Sequence, residues 1–293
     1  MLKLSIGRRV FLTCNYVFLI GLSLLCLMPF VNAVAISFSE SSAVVAGKVS
    51  VWPVDFTLSS YKYILNSHIF LQTFGNTLVR VALGTSLNML MTCLLAYALS
   101  KEKHAFRFRS FYVWIFVITM LFNGGLIPWY MTIKEVGILD SVWALVLPGA
   151  VPVFNVILLL NFFRGLPKEL EESSFIDGAG HWTTLWKIYL PISTPALATI
   201  VLLTMVGHWN SWFDGLILMN KVEHYPLSSY LQTVVIQMDF THLNQKDVQL
   251  LGVISDRTSK AAQIVLGALP ILLVYPFLQR YFVKGIVLGS VKE

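Results

Sequence analysis

The chain has 293 residues, of which 56% are hydrophobic and only 12% are charged, and its formal net charge is +6. A soluble globular protein usually carries roughly 25% charged residues, so this composition excludes an ordinary soluble domain and predicts a membrane protein. In a soluble chain the positive charge would suit nucleic acid. Here the basic residues flank apolar stretches, which is typical of membrane topology signals.

Six apolar stretches are long enough to cross a bilayer as a helix, which needs about 20 residues. We therefore predict an all-α bundle of six transmembrane spans that forms a single domain over residues 1–293, with its core at about 70–282. The spans are expected at about Val10–Ile36, Phe70–Leu99, Phe111–Ile133, Val142–Phe163, Thr194–Met219 and Ala261–Phe282.

The N-terminus allows two interpretations. A basic start and an apolar run precede Ala33-Val34-Ala35, which is similar to a signal-peptidase site. The apolar run is longer than that of a usual signal peptide, so we expect a retained first helix. Cleavage would leave five spans and would not change the side on which any later loop lies.

The distribution of Lys and Arg predicts the orientation. Thirteen of the 21 basic residues lie in the N-terminal tail, the loops after spans two and four and the C-terminal tail, seven lie on the opposite side, and Arg80 falls within span two. The positive-inside rule then places both termini and the loop 164–192 in the cytoplasm. Segments 37–69 and 220–260 would be external.

Local rules predict two short helices in this cytoplasmic loop. Pro167 suits the first turn of a helix, and the three glutamates that follow suit its positive end. Gly178 and Gly180 suit a helix stop with positive φ. We expect one helix near Pro167–Ile176, a sharp turn, and a second helical stretch, Trp182–Tyr189, that leads into span five.

The loop also resembles the signature of binding-protein-dependent ABC importer permeases. That signature is Glu-Ala-Ala, three residues, Gly, nine residues, Ile, one residue and Leu-Pro, and the carbohydrate branch adds Asp and Ala on either side of the Gly. The matching positions are Glu172, Ser173, Ser174, Asp177, Gly178, Ala179, Ile188, Leu190 and Pro191. Ser173 and Ser174 depart from the usual alanines but are also small. The alternative is a solvated hairpin that has no partner.

Further motifs extend the resemblance to the maltose-type carbohydrate permeases, and to the smaller of their two permeases in particular. Asn76–Leu78 followed by Ala96–Leu99 looks like their second span, and Trp209–Trp212 looks like their Trp-Asn motif. Phe122–Pro128 resembles a subgroup that handles fragments of acidic polysaccharides such as alginate or pectin.

The resemblance implies partners. The loop would be a coupling helix that docks on an ATPase, and the complex would contain a second related permease, two ATPase subunits and an extracytoplasmic solute-binding protein in a bacterial inner membrane. Tyr225–Gln249 would reach the binding protein, and the tail Lys284–Glu293 would lie near the ATPase. ATP and Mg would be bound by the partner subunits, so no cofactor is expected in this chain.

The residues themselves predict a transport subunit rather than an enzyme. The sequence contains no Gly-x-x-x-x-Gly-Lys-Ser/Thr phosphate loop, no metal-ligand spacing and no evident catalytic set. Its three cysteines, Cys14, Cys26 and Cys93, lie in apolar stretches and are expected to pack there. Carboxylates inside the spans are scarce, whereas a proton- or sodium-coupled carrier usually needs them.

Polar residues at membrane depth are candidates for the transport path because they are costly unless they face a cavity or another helix. Span five carries most of them, and the outer end of span three adds two. They are His208, Trp209, Asn210, Trp212, Asp214, Asn123 and Tyr130. The alternatives are hydrogen bonds between helices for the polar groups and interfacial anchoring for Tyr130. For Arg80 we predict an internal pair with Asp214 or a backbone carbonyl.

Three other hypotheses remain at this point. An ion-coupled secondary transporter would work without ATPase subunits, and a membrane scaffold would have no transport path. A homodimeric permease would lack the second related subunit.

Overall fold

A computed structural model describes residues 6–102, 105–236 and 256–290. These segments are mainly helical, and Ser39 and Phe56 form an isolated antiparallel bridge. The helices are α1 (Ile6–Ser37), α2 (Ser41–Val45), α3 (Ser59–Asn66), α4 (His68–Ser100), α5 (Arg109–Leu121), α6 (Leu126–Glu135), α7 (Val142–Val146), α8 (Val153–Arg164), α9 (Glu169–Ile176), α10 (His181–Thr184), α11 (Leu190–Ile192), α12 (Thr194–Asn210), α13 (Phe213–Leu218), α14 (Leu227–Ile236) and α15 (Asp256–Ser290).

Three helices in the described part of the chain are long and apolar enough to cross a membrane without a break. They run over Gly7–Ser37, His68–Ser100 and Arg257–Phe277. This confirms helices at predicted spans one, two and six. The number of candidate spans reaches six only if each of three bent helix pairs is counted as one span.

The predicted third span is formed by two helices rather than by one continuous helix. The chain breaks between α5 and α6, and the two helices meet at 114°. Gly125 has a φ of 88°, a conformation that costs a side-chain-bearing residue energy, and Pro128 suits the first turn of the new helix. These residues stop one helix and start the next.

The predicted spans four and five are also interrupted. The segments Val142–Gly149 and Val153–Arg164 meet at 46°, where Pro148 and Pro152 remove backbone donors. The predicted fifth span ends as a helix at Asn210, and the chain resumes as α13 after two non-helical residues. The break leaves the carbonyl of Ser211 outside the α-helical hydrogen-bond ladder.

The chain divides into two compact units. The first comprises Met1–Phe70 and Thr233–Leu269, and the second comprises Leu71–Gln232 and Pro270–Glu293. Within the first unit, Tyr61 ties the segment after α1 by a 2.7 Å hydrogen bond to Ser37 and by stacking on Phe38. The single domain and the cytoplasmic placement of both termini stay predictions.

The core of the second unit lies where α4, α8, α12 and the residues around Tyr189 pack together. Its buried members include Ala96, Leu159, Phe163 and Ile200. Cys93 is buried in the same cluster, as expected, whereas Cys14 and Cys26 are exposed on α1, so the packing prediction is wrong for those two.

Candidate functional site

A cavity of about 440 Å³ lies in the second unit, among α4, α7, α8 and α12. Small-molecule sites usually have volumes of roughly 300–1,000 Å³. The polar lining consists of Arg80, Asn88, Asn155, Thr204, His208, Ser211 and Asp214, and Trp129 adds an aromatic ring. Polar groups within candidate spans are thus gathered at one cavity, which makes it the candidate transport path.

An ion pair between α4 and α13 lies in the wall of this cavity. The Arg80 side chain is only 2% exposed, and its two terminal nitrogens contact the two carboxylate oxygens of Asp214. Nη1 also donates to the carbonyl of Ser211 at 3.1 Å. The predicted internal pairing of Arg80 is therefore confirmed for both suggested partners.

The break after α12 explains why Asp214 can receive Arg80. Asp214 lies in the first turn of α13, where unpaired backbone N–H groups favour an anion. Its Oδ1 accepts hydrogen bonds from Ser211 Oγ and from the backbone N–H of Gly215, each at 2.9 Å. The carboxylate is thus held by its own chain as well as by the guanidinium.

His208 forms a second link across the cavity. Its Nε2 lies 2.8 Å from Asn88 Oδ1, and Asn88 Nδ2 donates to the carbonyl of Gly149 at 2.7 Å. A Cβ added at Gly84 would lie 2.5 Å from His208 Nε2, so only glycine allows the imidazole to approach α4 this closely. Asn88 therefore connects α4 to the break before α8 and to α12.

Asn155 adds a third polar link between helices. Its Nδ2 donates to Thr204 Oγ1 at 3.1 Å, and both side chains are buried. The hydrogen bonds between helices that the sequence suggested are thus present at the cavity wall.

The structure divides the candidates in the predicted fifth span. His208 and Asp214 line the cavity, whereas Trp209 is buried edge-on against Phe74, with ring centroids 5.9 Å apart. Asn210 and Trp212 are exposed and lie outside the lining of this cavity.

The candidates near the outer end of the predicted third span lie outside the cavity wall. Asn123 is in the break before α6, where its Oδ1 accepts a 2.9 Å hydrogen bond from the N–H of Gly125. Tyr130 packs on an apolar cluster that includes Ile133 and Leu218. Trp129, the neighbour of Tyr130, lines the cavity instead.

Sequence reasoning missed Asn88 and Gly84, although a signal was available. Arg80, Gly84 and Asn88 recur every four residues, so they share one face of α4. A polar or small stripe of this period in an otherwise apolar helix indicates a face turned toward polar partners.

The loop 164–192, which the sequence predicts to be a coupling helix and which is called the coupling loop from here on, folds much as its sequence predicts. The first turn of α9 contains Glu169, Glu171 and Glu172, and Gly178 has a φ of 81°. Gly180 differs from the prediction because its φ is −81°, an ordinary value for any residue. A single left-handed residue is enough to turn the chain, since the His181–Ile192 stretch begins directly after Gly180.

The signature residues of the coupling loop divide into an exposed set and an inward set. Ser174 Oγ lies 2.9 Å from Thr184 Oγ1 inside the loop, so this serine has a bonding role that alanine would lack. Ile188 and Leu190 pack on the core, and Ala179 is half-buried. The exposed set is Glu172, Ser173, Asp177, Gly178 and Pro191.

An apolar residue accompanies this exposed set. Ile176 is 86% exposed at the end of α9, beside Asp177. The outer surface of the coupling loop therefore combines carboxylates with an uncovered aliphatic side chain, which is suited to a protein partner.

The fold and the loop define a transport subunit of the membrane. The family model described as "Binding-protein-dependent transport system inner membrane component" matches residues 105–288. The chain belongs to this family of ABC importer permeases.

Individual relatives agree with this class. The chain is 40% identical to Protein LplC of Bacillus subtilis over 97% of its length and 95% of that relative. It is 37% identical to the polygalacturonan/rhamnogalacturonan transport system permease protein YtcP of the same organism, over 97% and 99% of the two chains. A chain in the crystal structure of a bacterial ABC transporter that imports the acidic polysaccharide alginate is 32% identical, with a TM-score of 0.90 over 96% of this chain and 100% of that chain.

Proposed function

We propose that this chain is the permease subunit of an ATP-driven importer of oligosaccharides, and that it forms half of the translocation path. The observation that carries the proposal is the cavity around Arg80, Asn88 and His208, in a chain whose fold agrees over 96% of its length with a solved alginate importer. Hydroxyl groups of a sugar pair well with amides and imidazoles, and a Trp ring suits an apolar sugar face.

The substrate class that we propose is a fragment of an acidic polysaccharide. YtcP is named for polygalacturonan and rhamnogalacturonan, and the solved transporter imports alginate. Arg80 is held by Asp214, so the charge of the lining is balanced in this conformation. Contact with sugar hydroxyls would then come from Asn88 and His208, and a sugar carboxylate would compete with Asp214 for Arg80.

The proposed partners are a second related permease, two ATPase subunits and an extracytoplasmic solute-binding protein. The family description names a binding protein, which supports the last of these. The exposed set of the coupling loop would dock on an ATPase, and ATP with Mg would be bound there rather than in this chain. Closure of the ATPases on ATP would move the coupling loop and open the path outward, and hydrolysis would reset it.

Two variants of the coupling loop test the ATPase coupling. In Gly178→Val, a branched side chain is forced into a left-handed conformation, which costs roughly 1–2 kcal/mol, at an exposed position of the docking surface. Gly137→Val is the matched control, since Gly137 has a φ of 75° and is equally free of neighbours within 4 Å. Glu172→Lys reverses a charge on the same surface, with the exposed Glu135→Lys as its control.

The measurement is uptake of a labelled oligogalacturonide together with ATP hydrolysis, in vesicles that contain the assembled complex. We expect Gly178→Val and Glu172→Lys to lower uptake more than hydrolysis, and both controls to retain uptake. Normal uptake and normal stimulated hydrolysis in both loop variants would exclude the docking role.

An ion-coupled secondary transporter is not favoured. The family to which the chain belongs depends on a binding protein, and the carboxylate at the cavity, Asp214, is already paired with Arg80.

A further inference from the structure

A buried lysine lies directly after the last residue of α4. Lys101 is only 8% exposed, and its ammonium is 2.6 Å from Glu171 Oε1. The same nitrogen lies 3.7 Å from the ring centroid of Tyr97 and 4.5 Å from that of Tyr189. A desolvated ammonium is stabilised by aromatic faces as well as by a carboxylate, so these four side chains form one cluster.

Glu171 uses both of its carboxylate oxygens in this cluster. Oε1 accepts from Lys101, and Oε2 accepts from the hydroxyl of Tyr189 at 2.6 Å. Burial raises the pKa of Glu171, but the hydrogen bonds from Lys101 and Tyr189 and the Lys101 charge outweigh burial and leave the pKa below its ordinary value. The carboxylate is therefore ionised near neutral pH.

The cluster joins three separate elements. Tyr97 belongs to the last turn of α4 and Lys101 follows that helix directly. Glu171 belongs to α9, and Tyr189 belongs to the stretch that leads into α12. Tyr189 also packs edge-on against Tyr97, with ring centroids 5.1 Å apart. The start of the coupling loop and its return are thus both attached to the end of a continuous candidate span.

A second ion pair also joins the segment after α4 to the coupling loop, but it is exposed to solvent. Lys168 contacts Glu102, but their side chains are 75% and 50% exposed. Water and salt weaken such a pair, whereas a buried pair resists both. The chain thus supplies a matched control one residue beyond Lys101.

We propose that Lys101 and Glu171 are positioning residues that make the coupling loop move together with α4 and α12, so that displacement at the ATPase reaches the transport path. This inference rests on the proposed function. Glu171 precedes Glu172 of the family signature and points inward, so its role differs from that of the exposed docking residues. A loop that bends at its own base would let the ATPase turn over without opening the path.

The test compares sugar transported per ATP hydrolysed in proteoliposomes that contain the whole importer. Lys101→Met alone leaves the half-buried Glu171 carboxylate without its cation and should lower the yield of assembled complex. The double variant Lys101→Met with Glu171→Gln removes both charges and should recover assembly. Tyr189→Phe removes only one hydroxyl, and Lys168→Met with Glu102→Gln serves as the exposed control.

We expect the double variant to assemble but to transport at least about fivefold less sugar per ATP than the wild type. A change of about fivefold corresponds to the smallest of the typical coupling energies between two sites. Tyr189→Phe should show a smaller loss, and the exposed control should match the wild type. A wild-type ratio in the assembled double variant would overturn the proposal. If that variant fails to assemble, a wild-type ratio in Tyr189→Phe would overturn it.

The proposed function and this inference fail in different ways. Absence of ATP-dependent uptake by the wild-type importer would contradict the proposed function and the positioning role with it. A working wild type with equal ratios in all variants would contradict only the positioning role.

Discussion

Two buried ion pairs are attached to α4, and they differ in how they hold their partners. Arg80 and Lys101 are 21 positions apart in the sequence, which corresponds to about 30 Å of helix. Arg80 holds Asp214, just after the break that ends α12, and Lys101 holds Glu171 in the coupling loop. The first pair fixes α13 and the second fixes the coupling loop. Both segments lie outside the long continuous helices, so α4 acts as their common support.

The surroundings of the two pairs indicate different uses. Arg80 lies in the wall of a polar cavity, and its Nε has no hydrogen-bond partner among the described residues. Lys101 is covered by two aromatic rings, and Glu171 has both oxygens bonded. The pair of Arg80 and Asp214, hereafter the cavity pair, is therefore suited to exchange partners during transport. The pair of Lys101 and Glu171, hereafter the loop pair, is suited to remain intact.

The largest expected effect comes from removing one member of the cavity pair. Asp214→Ala leaves a buried guanidinium without its carboxylate, and breaking such a pair typically costs about 3–5 kcal/mol. We expect little assembled complex by size-exclusion chromatography in detergent. Arg80→Met combined with Asp214→Ala should recover most of it, and a double variant no better than the single one would contradict the pairing.

Overpacking at Gly84 should have the next largest effect. The Cβ of Gly84→Ala would lie 2.5 Å from His208 Nε2, so the imidazole must move away from Asn88, at a cost of about 1–3 kcal/mol. Gly75→Ala on the same helix meets nothing within 4 Å and is the matched control. Thermal unfolding of the purified complex should show a loss for the first variant only.

Asn88→Leu should have a smaller effect on stability and a specific effect on transport. It removes inter-helix hydrogen bonds, each of about 0.6–1.7 kcal/mol in a membrane protein. Asn76→Leu is a control on the same helix, since Asn76 donates to the carbonyls of Glu223 and Tyr225 away from the cavity. We expect similar unfolding temperatures for the two variants but slower sugar uptake in Asn88→Leu, and equal uptake would contradict a path role for Asn88.

The smallest effect concerns the acid sensitivity of the loop pair. The pKa of Glu171 is lowered from its ordinary value of 4.5, so its stabilising contribution is present above pH 4.5 and is lost as the pH falls through the lowered pKa. The stability difference between wild type and Glu171→Gln should therefore shrink in acid. A difference that stays constant from neutral pH into this range would contradict an ionised Glu171.

The continuous spans and the cavity pair could be predicted from the sequence because few residues competed for each role. Long apolar runs define α1 and α4, and Asp214 was the main carboxylate near span depth that could pair with Arg80. The bend at Gly125 was missed because Gly and Pro are also tolerated inside membrane helices, so apolar length alone did not reveal the break.

The loop pair could not be predicted because the polar segments contain several lysines and glutamates that could each form an ion pair. Lys101 competes with Lys103, and Glu171 lies between Glu169 and Glu172. Only the folded structure, which places Lys101 beside Glu171 and over the Tyr97 and Tyr189 rings, selects which lysine and which glutamate form the pair. The same reason explains why Ser174, predicted as a small packing residue, also forms a hydrogen bond to Thr184.

The most direct test of the account is sugar uptake into proteoliposomes under two energy sources. We expect that uptake of a labelled oligosaccharide requires ATP together with the ATPase subunits and the solute-binding protein, and that an imposed proton or sodium gradient gives none. Uptake driven by an ion gradient through this chain alone would contradict it.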